Sequence, residues 1–436
     1  MTPAVAGTSS ASKVDLRRLQ RRTLTVLAAA QVAGGIGVAI GVALGSLIVA
    51  ELSGSVAISG FAGTASVLGA ALLALPVAKI SNRSGRRVGL TLAYGGALIG
   101  AAIAVAAISI GSWLLLLAGI VLFGGASAGN LAARYAAADL SPPGHAARHL
   151  SLVIWSATVG SVAGPNLAEP AEHLGRYFGL TGEAGPFALA TVAFALGTII
   201  ALVGLRPDPL LTSRALAASV AVPAAPGGGV RGGAIRTAWG ILRRSPPARW
   251  AIIAIAVSHT AMVSIMSMTP VHLDHGGATI SIIGVVLSLH IAGMYMLSPV
   301  VGWLADRIGR TPVLVLGMAQ LLAAAALAGS ASEHDVTRVA IGLTLLGTGW
   351  SCGLVAGSTL LTESAPIEHR TAVQGLSDLL MNVCGAGGTI VAGSIVGWLS
   401  YGVLGAAVGA MVIATAAWLI IAYRREPGRQ VATEPS

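Results

Sequence analysis

Apolar stretches of about twenty residues, the length a helix needs to cross a bilayer, recur along the whole chain between short polar segments rich in Arg, Gly and Pro. They fall at 23–50, 57–78, 88–110, 113–136, 150–170, 185–205, 249–270, 278–301, 312–330, 337–362, 372–397 and 403–423. The pattern predicts an all-α integral membrane protein with twelve transmembrane helices. The polar remainder divides the chain further: a basic N-terminal arm at 1–22, a Pro-, Gly- and Arg-rich segment at 206–248 and a tail at 424–436. Arm, linker and tail read as disordered, leaving six-helix bundles at 23–205 and 249–423. The run from Thr23 to Ala50 is too long for a signal-peptide core and reads as the first span.

Composition agrees with the pattern: 55% of the 436 residues are hydrophobic and 10% charged, with a mean hydropathy of +0.83. A net charge of +10 raises the question of nucleic acid. Placement of the charge answers it, because all but two of the 26 lysines and arginines, Arg176 and Arg338, fall in the arm, the linker, the tail or the turns on their side. That is a topology signal. It predicts a multi-pass protein of the cytoplasmic membrane with both termini and the linker inside, and no nucleic-acid partner.

The two halves repeat. Asn82-Arg83-Ser84-Gly85-Arg86-Arg87 and Asp306-Arg307-Ile308-Gly309-Arg310-Thr311 follow the second and eighth spans at an offset of 224 residues, and the same offset pairs Asp139 with Glu363. Gly302, Asp306, Arg307, Gly309 and Arg310 form a candidate latch, with the carboxylate held by arginines and backbone donors and Gly309 permitting a tight turn. This segment resembles the loop signature of the major facilitator superfamily. The resemblance covers the whole chain and implies two six-helix bundles around a central cavity that opens to each side in turn. The first copy departs from the signature, with Ala78 for glycine and Asn82 for aspartate, so a weaker latch is expected there. Gly160, Gly164 and Pro165 resemble part of the superfamily's helix 5 antiporter signature, and close helix packing with a proline bend accounts for the same residues.

The candidate chemistry concentrates in spans seven and eight. Five of nine methionines, Met262, Met266, Met268, Met294 and Met296, lie there, as do the two histidines deepest in predicted spans, His259 and His290. Met262-x-x-x-Met266 and His290-x-x-x-Met294 place soft donors one turn apart on single helix faces, a donor set suited to copper. The midpoints of the two antiparallel spans fall level, so the motifs are expected to face each other. His272, Asp274 and His275 would capture the ion at the outer mouth, with Met268, Cys352, Cys384 and Asp378 as further helpers. These paired motifs resemble those of the CcoA-like copper importers, a resemblance that implies inward transport of copper as substrate for cytochrome c oxidase assembly. Methionine is also an adaptable core filler.

The rival expectation is proton-coupled efflux of drugs or amphiphilic metabolites, with His259, His290 and Asp378 as proton carriers, since an ionisable group inside a membrane helix is costly without a function. A sensor or scaffold is disfavoured, because the chain carries no extra signalling domain. Cys352 and Cys384 imply no disulfide framework, and no phosphate-binding loop, catalytic triad or Cys-x-x-Cys pair supports an enzyme. The expected partners are the bilayer, copper or a small molecule, and protons as coupling ion, with the monomer as working unit and no bound cofactor. The topology has a direct check. In a background lacking Cys352 and Cys384, a cysteine at Ser332 reacts with an impermeant thiol reagent added outside intact cells, and one at Ser213 does not.

Overall fold

A backbone in lipid must satisfy its own hydrogen bonds, and the computed structural model is helical across its described residues, 8–220 and 234–424. The N-terminal bundle comprises α1 (Thr8–Ser53), α2 (Val56–Ser84), α3 (Arg86–Ser109), α4 (Trp113–Phe123), α5 (Gly125–Ala136), α6 (Ala146–Asn166), α7 (Ala168–Tyr177) and α8 (Ala184–Gly204). Between the bundles lie α9 (Pro209–Val220) and α10 (Ala234–Arg244). The C-terminal bundle comprises α11 (Pro246–His275), α12 (Ile280–Tyr295), α13 (Ser298–Ile308), α14 (Arg310–Gly329), α15 (Val336–Glu363), α16 (Arg370–Trp398) and α17 (Tyr401–Arg424).

Among the described residues eleven helices are long and apolar enough to cross a membrane, and the pair α6–α7, bent by 56°, gives a twelfth when taken as one broken span. The break directly follows Pro165-Asn166, where proline cannot donate to the helix ladder. Leu47, Ile99, Leu114, Ile199, Ile390 and Ile413 are exposed apolar side chains, as expected of a protein whose surroundings include lipid.

The termini correct one expectation. Residues 8–22 are helical and continue into the first span, so α1 runs 46 residues. From Thr8 to Ala33 there is neither glycine nor proline, and Arg, Leu and Gln are good helix formers; polarity there marks departure from lipid, not loss of helix. The linker likewise contains α9 and α10. Residues 1–7, 221–233 and 425–436 lie outside the described part.

Each bundle has its own core. Leu27, Tyr94, Phe123, Phe187 and Phe194 centre the first, with Phe123 edge-on to Phe194 at 4.8 Å. Trp250, Met262, Leu346 and Trp350 belong to the second, which also takes in Tyr135, Leu150 and Ile154 from the first bundle. The bundles therefore meet on the side of the basic loops, through α13 against α6 and α16 against α2. Gly302 allows the first contact, because a Cβ there would lie 2.1 Å from Ser151 Oγ and 2.7 Å from Ala147 O.

The same contact holds the latch. Asp306 accepts the backbone N–H groups of Ala147 (3.2 Å) and Arg148 (2.9 Å), so it caps α6 from the opposite bundle, where a carboxylate also meets the positive helix end. Arg310 braces it at 3.0 Å and pairs with Glu363 at 2.8 Å. Gly309, with φ of +98°, makes the turn between α13 and α14, and Arg307 lies over the Trp303 ring at 5.1 Å. The first copy is built differently. Asn82 accepts two hydrogen bonds from Arg214 of α9, and Arg214 also donates to the Glu368 carbonyl of the other bundle at 3.3 Å. Asp208 accepts the Arg87 N–H at 2.8 Å, tying the linker to the same turn. A linker arginine thus stands where symmetry would put a second helix cap.

Asp306→Asn keeps an acceptor but loses the charge, removing about 1 kcal/mol of hold on α6. The expected result is transport slowed several-fold with an unchanged melting temperature, and a milder effect for Asn82→Asp. Transport assays and thermal melts on the purified variants check both.

Candidate functional site

The last turns of α5 bring a full charge to the line where the bundles meet. Arg134 is 1% exposed, and its Nη2 donates to Asp378 Oδ1 on α16 at 2.6 Å and to Tyr135 Oη at 3.1 Å. Its Nε donates to Ser358 Oγ on α15 at 3.0 Å, a residue 224 positions away. That separation is the repeat offset itself, so Arg134 bonds its own counterpart across the pseudo-twofold axis. Serine at the second position avoids two arginines colliding there. Asp378 is 4% exposed and lies eight residues into α16, about 12 Å from the basic face at 1.5 Å per residue. Both charges are therefore inside the membrane span, paired with each other.

One layer closer to that face, Arg86 grips Asp139 through two bonds of 2.8 and 3.2 Å and reaches Gln374 Oε1 on α16 at 2.8 Å. Gln374 in turn donates to Thr362 Oγ1 at 3.0 Å. The Arg86–Asp139 and Arg310–Glu363 pairs share a separation of 53 residues, again the repeat. Only the first is sealed from water, since Glu363 is 42% exposed on its side chain against 0% for Asp139. Arg134, Arg86 and Gln374 were not singled out by their sequence; Arg134 in particular reads as one more topology charge beside a loop. The signal that distinguishes it is its position inside a predicted span with a carboxylate, Asp378, inside another.

The methionine and histidine motifs take up different positions from a facing pair. Helix α12 packs chiefly against α15, and α11 packs against both α15 and α16, with little contact between α11 and α12 themselves. His290 is fully buried, and its Nδ1 lies 2.8 Å from the Leu343 carbonyl of α15. Because a carbonyl only accepts, Nδ1 carries the proton, and in the neutral ring Nε2 keeps its lone pair; Nε2 makes no hydrogen bond. Gly347 permits this contact, as a Cβ there would lie 2.4 Å from His290 O and 2.9 Å from Met294 N. On α11, Ser258 and Ile255 abut Gly353 and Gly357 of α15, and Met262 follows Ser258 by one turn on the same face. The two motifs thus sit against different faces of α15. Antiparallel α11 and parallel α12 nevertheless bring Met262 and Met294 to nearly the same depth. Met262 and Met294 are buried, Met266 and Met268 half-buried.

His259 is oriented the opposite way to His290. Trp350 Nε1–H donates to its Nδ1 at 3.1 Å, so in the neutral ring the proton is on Nε2, which faces Gly385 of α16. In this arrangement His259 offers a donor and no free lone pair. Trp350 also packs edge-on to Tyr295 at 5.7 Å. Cys352 is buried against Gln320, 3.6 Å from its Oε1, and Cys384 is free and half-buried. At the opposite face of the molecule, His272 stacks on Tyr401 with ring centres 4.2 Å apart. His272, His275 and Glu333 line a cavity of about 550 Å³ there, which Asp274 does not line. Among the described residues no three His, Cys, Asp or Glu side chains gather as a metal-holding group. In α6, Gly160 and Gly164 pack on α1, where added Cβ atoms would lie 2.7 Å from Val32 O and 2.6 Å from Ala39 Cβ.

Comparison with known proteins follows this architecture. The family model of the Major Facilitator Superfamily matches residues 24–281 and 273–435. The chain is 36% identical to the uncharacterized MFS-type transporter YddS of Bacillus subtilis (strain 168), over 92% of this chain and 91% of that protein. It is 26% identical to the riboflavin transporter RfnT of Brucella anthropi, over 87% and 90% respectively. Among solved structures it is similar to the proton:xylose symporter XylE bound to 6-bromo-6-deoxy-D-glucose, with a TM-score of 0.71 and 13% identity over 93% of this chain and 96% of that one. The chain belongs to the major facilitator superfamily and is a multi-pass membrane transporter, not an enzyme.

Proposed function

We propose that this transporter exchanges protons for an organic amphiphile by alternating access, with Asp378 as the proton-carrying group. The observation that carries the reading is the Arg134–Asp378 pair, buried on both sides and joining the two bundles. While Asp378 is ionised, the pair holds the basic face closed. Protonation removes the carboxylate charge, leaves Arg134 without its counter-ion and frees α5 to part from α16. A proton and a substrate that compete for the same closed state are thereby coupled through one equilibrium. An organic substrate is supported by the likeness to the riboflavin transporter RfnT.

A second reading, copper as the transported substrate, is supported by His290. Its Nδ1 is fixed by a carbonyl and its Nε2 is unpartnered, the arrangement that orients a ligating imidazole, and Met294 lies one turn further along α12. Met262 and Met266 lie at matching depth but against a different face of α15, so they would join this donor set only if α11 turned toward α12.

The coupling reading is tested in membrane vesicles holding a pH gradient. Riboflavin or ethidium added to wild-type vesicles should discharge the gradient, and Asp378→Asn should abolish the discharge. Removing one member of a buried pair also costs about 3–5 kcal/mol, so Arg134→Gln is combined with Asp378→Asn to recover stability. The double variant should fold and still release no protons; a double variant that discharges the gradient normally refutes the role of Asp378.

Copper is tested separately. If copper is the substrate, Met262→Leu, Met266→Leu, Met294→Leu and His290→Gln each reduce cellular copper accumulation several-fold, because a donor is lost while volume is nearly kept. Met318→Leu and Met411→Leu, outside the motifs, should have little effect. Unchanged copper content in all four motif variants removes this reading.

A further inference from the structure

The long first helix leaves an unassigned cavity on the basic face. Helix α1 is apolar from Thr23 onward, so Leu16 to Arg21 lie within about 10 Å of the hydrocarbon edge at 1.5 Å per residue, at the depth of lipid headgroups. There Leu16, Arg17, Gln20, Arg21 and Leu24 of α1 face Leu140, Ser141, Pro142, His145 and His149 across a cavity of about 730 Å³. No acidic side chain lines it. Arg17 and Arg21 are one turn apart and share a face, and both are exposed.

The floor of the cavity is fixed by hydrogen bonds. Gln20 is 4% exposed, and its Nε2 donates to the Ala137 carbonyl at 2.7 Å. His149 Nδ1 lies 2.7 Å from Ser141 Oγ and 3.0 Å from Gln20 Nε2. Gln20 Oε1 makes no hydrogen bond. A cationic rim, an apolar wall of Leu16, Leu24, Leu140 and Pro142, and a buried acceptor together select a particular chemistry: a phosphate for the arginines, acyl chain for the leucines and a hydroxyl donor for Gln20.

We infer that this cavity binds the headgroup of an anionic phospholipid bearing hydroxyl groups, of the phosphatidylglycerol type. The site abuts the first turn of α6, whose Ala147 and Arg148 N–H groups are capped by Asp306 of the other bundle. Lipid bound there stiffens the turn that the latch holds.

The full-length protein in phosphatidylcholine nanodiscs is titrated with phosphatidylglycerol, and bound lipid is counted by native mass spectrometry. Arg17→Gln with Arg21→Gln should weaken binding about thirty-fold, the loss of two headgroup-level arginines. Arg18→Gln with Arg22→Gln makes the same charge change at the same depth, away from the cavity, and should leave binding near wild type. Equal losses in the two pairs would reduce the effect to general surface charge and overturn the site. Glycerol phosphate in solution should not compete; if it displaces the lipid at comparable concentration, the cavity is a site for free anions and the lipid assignment falls.

Discussion

An arginine withdrawn from water must find a counter-charge or not be buried at all, because the penalty for an uncompensated guanidinium in a dry interior is several kcal/mol. Arg134 meets that condition only while the two bundles are together, since Asp378 and Ser358 both belong to the other half. The closed basic face is therefore a requirement of the charge as much as of the packing. Any motion that opens this face must neutralise Asp378, hydrate Arg134 or supply another partner.

The remaining contacts across the same face are graded in depth. Near the surface, Asp306 caps α6 across the bundles, and within the C-terminal bundle Arg310 braces it and pairs with the half-exposed Glu363, the one member of this group that water reaches freely. Deeper, Arg86, Asp139 and Gln374 form a sealed network, and deepest is Arg134. The duplication explains the two arginine–carboxylate pairs at one spacing. It does not explain Asp378, whose counterpart 224 positions earlier is Ile154. The symmetry is broken at Asp378, which pairs with Arg134, and again at Asn82, whose partner is the linker's Arg214.

Span length and the turn at Gly309 were legible because each rests on a local rule: apolar length, and a positive φ that favours glycine. The helical start of α1 was not, because a run of arginines is equally compatible with a solvated coil and a solvated helix. Spacing alone put the donors of Met262, Met266, His290 and Met294 on single helix faces, but which face meets which neighbour depends on tertiary packing. Gly347 and Gly353 draw α12 and α11 onto α15 instead of onto each other. Asp378 stands out in the sequence as an acid within a span; Arg134 does not, because an arginine two residues from the end of a span looks like topology until its burial is known.

If the Arg134–Asp378 pair keeps the basic face closed, breaking it should open that face. Spin labels at Pro143 and Ile308, exposed positions in opposite bundles at that face, report its width by electron–electron distance measurement. In the wild-type protein at neutral pH the account predicts a dominant short distance, and in Asp378→Asn a shift of population to a longer one without any added substrate. An unchanged distance distribution in Asp378→Asn would contradict it.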